Sequence, residues 1–431
     1  MGTAETIFLN FALPNDTTWF YFSLLLAVAL FFKFGRLLSM RNLDVVTLFL
    51  LVPGLLLLRG NPSNWLGYLW LLCGSGYFLV RCFLDLSIVR RPALSPNLNL
   101  SGLAWLAGAL CVCLATVAYR NPGERTVGKE SASLDQVQRQ VENQLQQQAA
   151  SSDTANFDAR LWVKGSLAVL CHLAIVAGLV FIGCRHFQDA HAGMAAATFY
   201  LLLPYTAYHF GQVHHAWPIA LLVWAVACYR MPTLSGLLLG LAAGSVYFPV
   251  VVVPTWFSFY WRRGAGRFAS AFALSAGLCL AVIGLILWLD NDLSRTVQSA
   301  VALSDWNPFG VPNTDSFWRG VHWAYRIPVF LAYLTIVLAT AFWPAPKNLA
   351  QILALSAAVL IGIQFWYADQ GGVYVLWYLP LLLLLVFRPN LSDRLPPPIQ
   401  PETDWLARLG RTLARWAERL VKPPTPVTPL R

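Results

Sequence analysis

Near-uninterrupted apolar runs recur along the whole chain, each about 17 to 25 residues long, the length a helix needs to cross roughly 30 Å of hydrocarbon. A water-soluble fold could not hide so much apolar surface. Hydrophobic residues make up 57% of the chain and charged ones 12%, about half the charge of a typical soluble domain. A membrane β-barrel would show alternating segments of about ten residues, and these runs do not alternate. The expectation is an all-α, polytopic transmembrane helical bundle of about 11 to 13 membrane segments.

The spans are expected at Trp19–Phe34, Leu43–Leu58, Trp65–Val89, Leu103–Ala118, Leu167–Cys184, Gly193–Tyr208 and Trp217–Tyr229. A broken pair follows, Leu234–Val246 and Val250–Trp261, then Phe268–Leu289, Ile327–Trp343, Leu349–Trp366 and Val373–Phe387. The chain divides into a four-span region (1–119), an outer polar loop (120–160), a membrane core (161–387) and a tail (388–431). No basic stretch precedes the first apolar run, so no cleaved signal peptide is expected.

Basic residues in short loops favour the cytoplasmic side. With the amino terminus outside, Lys33, Arg36, Arg41, Arg90, Arg91, Arg185, Arg230, Arg262, Arg263, Arg267 and Lys347 fall inside together with the carboxyl tail. This holds only if the interrupted stretch Ser245–Pro249 turns a hairpin whose basic flanks share one face. The protein is thus expected in the plasma (inner) membrane. The net charge of +10 is concentrated in the tail. There Leu406, Leu409, Leu413, Trp416 and Leu420 recur every three or four residues among arginines, bracketed by prolines. Such a helix would lie on anionic lipid. It is not a nucleic-acid signature.

The eight cysteines all lie in or beside apolar segments and read as packing residues. Arg81 and Asp85, four apart on one helix face, read as a structural pair, since a lone charge at mid-bilayer costs about 2.5 to 3.5 kcal/mol. His209, His214 and His215 cluster at an outer helix end; with no carboxylate nearby, hydrogen bonding suits them better than zinc. Neither a metal nor a cofactor is called for, and Gly-rich phosphate loops and nucleophile elbows are missing. The outer loop 290–326 gathers Asp305, Trp306, Asp315, Trp318, Arg319, His322 and Trp323. Aromatic residues at a membrane boundary are ordinary anchors; together with carboxylates they could also form a sugar or lipid-headgroup cleft.

Tyr200-Leu-Leu-Leu-Pro204 followed by Gly211-Gln212-Val213-His214-His215 resembles the bacterial polyprenol-phosphate-mannose-dependent mannosyltransferases of the GT-C superfamily. The same order continues through Tyr229-Arg230, Gly236, Gly240, Gly244, Pro249, Pro254 and Arg262-Arg263, and later Tyr374 and Tyr378-Leu379-Pro380. The resemblance covers about residues 167 to 387. The family's Lys before the break falls at Val246 or Tyr247, so a phosphate-binding cation is lost, and the family's acid in the first outer loop has no clean counterpart.

What the resemblance implies is a GT-C-like core that transfers a sugar, a hexose such as mannose, from a polyprenyl-phosphate donor to a glycan or lipid acceptor on the outer face. A carboxylate would take the acceptor's proton and cations would hold the leaving phosphate. Asp305, Asp315 and Asp158 are the base candidates. Arg319, Arg326, Gln212, His214, His215, Trp306 and Trp323 are the substrate-binding candidates, with Asp305 and Arg319 foremost. The competing expectation is a non-catalytic carrier or membrane scaffold, which a central polar passage open to both sides would favour.

Overall fold

A computed structural model describes residues 16–87, 94–120, 159–289, 309, 316–367, 374–398, 405, 411, 412 and 415. These residues form helices joined by turns and irregular segments, with no strand among them. The helices are α1 (Asp16–Phe31), α2 (Met40–Thr47), α3 (Val52–Gly60), α4 (Trp65–Asp85), α5 (Leu100–Arg120), α6 (Ala159–Ile182), α7 (Ala190–Leu202) and α8 (Pro204–Tyr208). They continue with α9 (Val213–Ala227), α10 (Pro232–Ser245), α11 (Val253–Phe259), α12 (Ala265–Leu289), α13 (Arg326–Phe342), α14 (Leu349–Trp366) and α15 (Leu379–Phe387). Six described stretches are long and apolar enough to cross a membrane: Met40–Gly60, Trp65–Asp85, Val163–Phe187, Ala265–Leu285, Trp323–Phe342 and Leu349–Trp366. Shorter apolar helices stand beside them. The protein is a multi-pass membrane protein.

The helix ends sort onto two faces. At one, His186 meets the Ala227 carbonyl, the Tyr260 hydroxyl donates to the Tyr229 carbonyl at 2.7 Å, and Arg263 donates to the Pro396 carbonyl. Lys33, Arg185, Arg230, Arg262, Arg263, Lys347 and Arg388 all lie at this end, which we term the basic face. The opposite, histidine face carries the α3–α4 turn, residues 203–212 and residues 316–325. The grouping of basic residues therefore follows the expectation from sequence.

Four charges lock the basic face. Arg81 donates to both oxygens of Asp44, at 2.9 and 3.2 Å, and to Asp85 Oδ1 at 3.2 Å. Arg388 donates twice to Asp85 Oδ2, at 3.0 and 2.6 Å. The pair read from the sequence is thus part of a larger network that ties α2, α4 and the end of α15 together. Nearby, the buried Lys347 amine donates to Ser258 Oγ and to the Ala341 and Pro344 carbonyls at the end of α13. Burial pushes its pKa down to about 8.

Three spans differ from expectation. The second is broken between α2 and α3, where Pro53 cannot donate to the turn before it. Freed backbone groups in a bilayer must find other partners. Here Tyr205 Oη donates to the Leu48 carbonyl at 2.8 Å and accepts from Leu51 N, while Trp70 Nε1 donates to the Leu50 carbonyl. The sixth span stops at Leu202, because Leu203 precedes Pro204 and is extended (φ −64°, ψ 136°). In the last span the α-helix begins at Leu379 rather than Val373, after a 3-10 turn at Val375–Trp377.

The hairpin expected at Ser245–Pro249 is present: α10 ends at Ser245, Val246 is extended, and a 3-10 turn at Phe248–Val252 leads back down α11. Glycines seat it against α12. A Cβ on Gly236 or Gly240 would collide with the Phe268 or Phe272 carbonyl, and one on Gly244 would stand 2.6 Å from Cys279 Cβ. Such close approach is how small residues substitute for a hydrophobic drive between helices in lipid. The outward side of α12, with Leu274 and Leu278 exposed, faces lipid, whereas α14 is buried along its length.

Candidate functional site

The central helices are short. α7, α9 and α10 hold 13, 15 and 14 residues, about 20 to 23 Å at about 1.5 Å per residue. The flanking α4, α6 and α12 hold 21, 24 and 25, about 32 to 38 Å. The short helices are tied together at the basic face, and at the histidine face the chain continues from α7 through α8 and residues 209–212 into α9. Trp217 Nε1, one turn into α9, donates to Ser245 Oγ at the hairpin tip. The tip therefore stands level with the first turns of α9.

The turn between α8 and α9 lies at this face. His172 on α6, buried, fixes it from beneath: one ring nitrogen meets Tyr200 Oη at 2.8 Å, the other meets the Phe210 carbonyl at 3.2 Å, and the ring stacks on Phe210 at 4.0 Å. A carbonyl only accepts, so His172 Nε2 carries the proton and Nδ1 accepts from the tyrosine. The turn then presents His209, Gln212, His214 and His215. His209 Nδ1 lies 3.0 Å from Gln212 Oε1, and Trp377 Nε1 donates to His215 Nδ1 at 2.8 Å. The His214 and His215 rings are 4.1 Å apart, and His209 stands edge-on to His215 at 5.5 Å. Desolvation pushes His209 down to about 4, the Gln212 bond opposing and the charge of Arg59 adding.

Further contacts, joined in places by chain neighbours, extend a circuit from these rings. His215 faces Tyr374 at 5.2 Å, Tyr374 stacks on Trp377 at 4.3 Å, and Trp377 stacks on Phe248 of the hairpin at 3.9 Å. Tyr374 also reaches Tyr367, next to Trp366, and the Trp318 indole donates to the neighbouring Phe365 carbonyl at 3.0 Å. Arg319, adjacent to Trp318, donates to Ser63 Oγ at 2.7 Å, and Arg59 at the end of the same α3–α4 region lies 5.4 Å from the Tyr208 ring. Aromatic faces, imidazoles and cations are therefore gathered, a set that suits an anionic, partly apolar ligand.

Of the residues singled out from sequence, the fold brings Arg319, Gln212, His214 and His215 into this circuit. Arg326 is instead buried at the start of α13, at 1% exposure. Trp323 packs with Phe309 at 5.8 Å and His322 at 5.3 Å and stays partly exposed. Asp305, Asp315, Asp158 and Trp306 lie outside the described residues, as does most of the amphipathic tail, of which Trp405 donates to the Gly266 carbonyl. Sequence reasoning passed over His172, Tyr208 and Trp377. Their roles depend on partners 28 to 162 positions away, a separation that no local spacing reveals. Among the described residues, no group of three His, Cys, Asp or Glu is placed to hold a metal ion.

The chain matches no family model, and no curated protein or solved structure is significantly similar to it. Fold and site together define a class: a multi-pass, all-helical membrane protein with imidazole, aromatic and cationic side chains gathered at one face.

Proposed function

We propose that the chain transfers a hexose such as mannose from a polyprenyl-phosphate donor to a glycan or lipid acceptor, at a GT-C-like core whose histidine face lies outside the plasma membrane. The observation that carries this reading is the gathering of Arg59 and Arg319 with aromatic rings and imidazoles at the histidine face. A lipid phosphate needs cations near the membrane surface and a sugar needs aromatic and hydrogen-bonding walls. The acceptor oxygen attacks the anomeric carbon, the bond from that carbon to the phosphate oxygen breaks, and the lipid phosphate leaves with the electron pair. The acceptor proton passes to a carboxylate, for which Asp305, Asp315 and Asp158 are the candidates. Arg319 offsets the charge growing on the phosphate. With the basic face cytoplasmic, the arginine-rich tail rests on anionic inner-leaflet lipid.

A carrier would need a polar passage between the faces. Phe31, Phe199 and Phe387 instead pack edge to face toward the basic face, Trp256 is wholly buried, and the four-charge network ties the same end together. These features favour a site reached from one side. The test is transfer of label from polyprenyl-phosphate mannose by membranes containing the protein, without nucleotide sugar. Asp305→Asn should lower turnover about 10²- to 10⁴-fold with donor affinity little changed. Arg319→Ala should weaken donor binding as well. Absence of both transfer and lipid-phosphate binding in the wild type refutes the reading.

A further inference from the structure

The His209–Gln212 pair has a defined polarity. An amide oxygen only accepts, so the 3.0 Å contact places the proton on His209 Nδ1. The lone pair is thereby left on Nε2. That atom is buried and has no hydrogen-bond partner among the described residues, a condition that costs free energy unless a donor arrives. Burial keeps the ring neutral by pushing its pKa down to about 4, so Nε2 remains an acceptor at any physiological pH. His215, 5.5 Å away ring to ring, is polarised the other way. Its Nδ1 accepts from the Trp377 indole, which leaves its proton on Nε2 as a donor.

An acceptor on one ring and a donor on the neighbouring ring suit a ligand that can both give and take hydrogen bonds through adjacent groups, as vicinal hydroxyls do. A bare phosphate, having only acceptors at neutral pH apart from one weakly held proton, would leave His209 unsatisfied. We propose that His209 Nε2 accepts a hydrogen bond from a hydroxyl of the donor's sugar ring, with Gln212 as the positioning residue that fixes the imidazole tautomer. The proposal rests on the sugar-transfer reading and adds to it the subsite that distinguishes a glycosylated lipid phosphate from a bare one.

The test uses the full chain in lipid nanodiscs and measures equilibrium binding of dodecyl-phosphomannose, dodecyl phosphate and octyl mannoside. Wild-type protein should prefer dodecyl-phosphomannose to dodecyl phosphate. His209→Ala should weaken dodecyl-phosphomannose about tenfold and leave dodecyl phosphate unchanged. Gln212→Ala should weaken the same probe several-fold, and Gln212→Glu should restore it, because a carboxylate also accepts from Nδ1 and holds the same tautomer. In ¹⁵N-histidine-labelled wild type, the His209 Nε2 resonance should shift with dodecyl-phosphomannose and not with dodecyl phosphate, a readout independent of how the variants fold. Unchanged affinities in both His209→Ala and Gln212→Ala, or a still resonance, overturn the inference while leaving sugar transfer standing. If neither lipid phosphate binds but octyl mannoside binds in a His209-dependent way, the subsite stands and the lipid-phosphate donor falls. No binding of any probe overturns both.

Discussion

Replacing Arg388 by methionine tests whether the buried charge network holds the bundle together. Asp85 is held by Arg388 through two hydrogen bonds to one oxygen and by Arg81 through a longer bond to the other, and the Asp85 and Arg388 side chains are 1% and 3% exposed. With Arg388 gone, two carboxylates share one guanidinium and the cluster carries a net negative charge. Breaking a buried pair by removing one partner costs about 3 to 5 kcal/mol. Arg81 remains to serve Asp85, so the lower end, about 3 kcal/mol, is expected. Adding Asp85→Asn leaves Asp44 and Arg81 as a neutral pair, so the double variant should lose about 2 kcal/mol less than the sum of the singles. Equilibrium unfolding in mixed micelles of dodecyl maltoside and SDS measures all three. Arg394→Met is the control, because the Arg394 backbone carbonyl, not its side chain, receives Leu349 N–H. The reasoning fails if Arg388→Met falls within about 0.5 kcal/mol of wild type, or if the two changes add without coupling.

His209, held near 4 in the fold against 6.5 when unfolded, binds fewer protons folded than unfolded between those values. Its contribution to stability is thus present above pH 6.5 and lost as pH falls toward 4; the wild type should lose stability more steeply over that window than His209→Gln, and equal slopes would count against the buried neutral ring. Orientation is tested with an impermeant thiol reagent on variants stripped of native cysteines: Ser152→Cys should label from outside and Ser392→Cys should not, and the reverse pattern would move the histidine face to the cytoplasmic side.

The helical membrane architecture and the clustering of basic residues on one face were legible in the chain, because hydropathy and charge act locally along each segment. The hairpin could also be read, since Gly244, Pro249 and the basic flanks at Arg230 and Arg262 leave few other ways to fold that stretch. Arg81 and Asp85 were visible as neighbours on one helix; Asp44 and Arg388, 37 and 303 positions from their partners, were not. The break at Leu48–Leu51 escaped notice because its compensation comes from Tyr205, more than 150 residues later. The site shows the same division. Histidines at 209, 214 and 215 could be counted in the sequence, but their differing polarities could not. Those are set by Gln212 on one ring and Trp377 on another, and hydrogen-bond direction is a property of which donors and acceptors the packed helices bring within reach. Sequence thus determined that this chain lives in a bilayer and where its charges and imidazoles lie along it. Tertiary packing decided that the central helices are short, that aromatic rings and cations from distant segments meet at one face, and that His209 keeps a lone pair on Nε2 while His215 keeps a proton there.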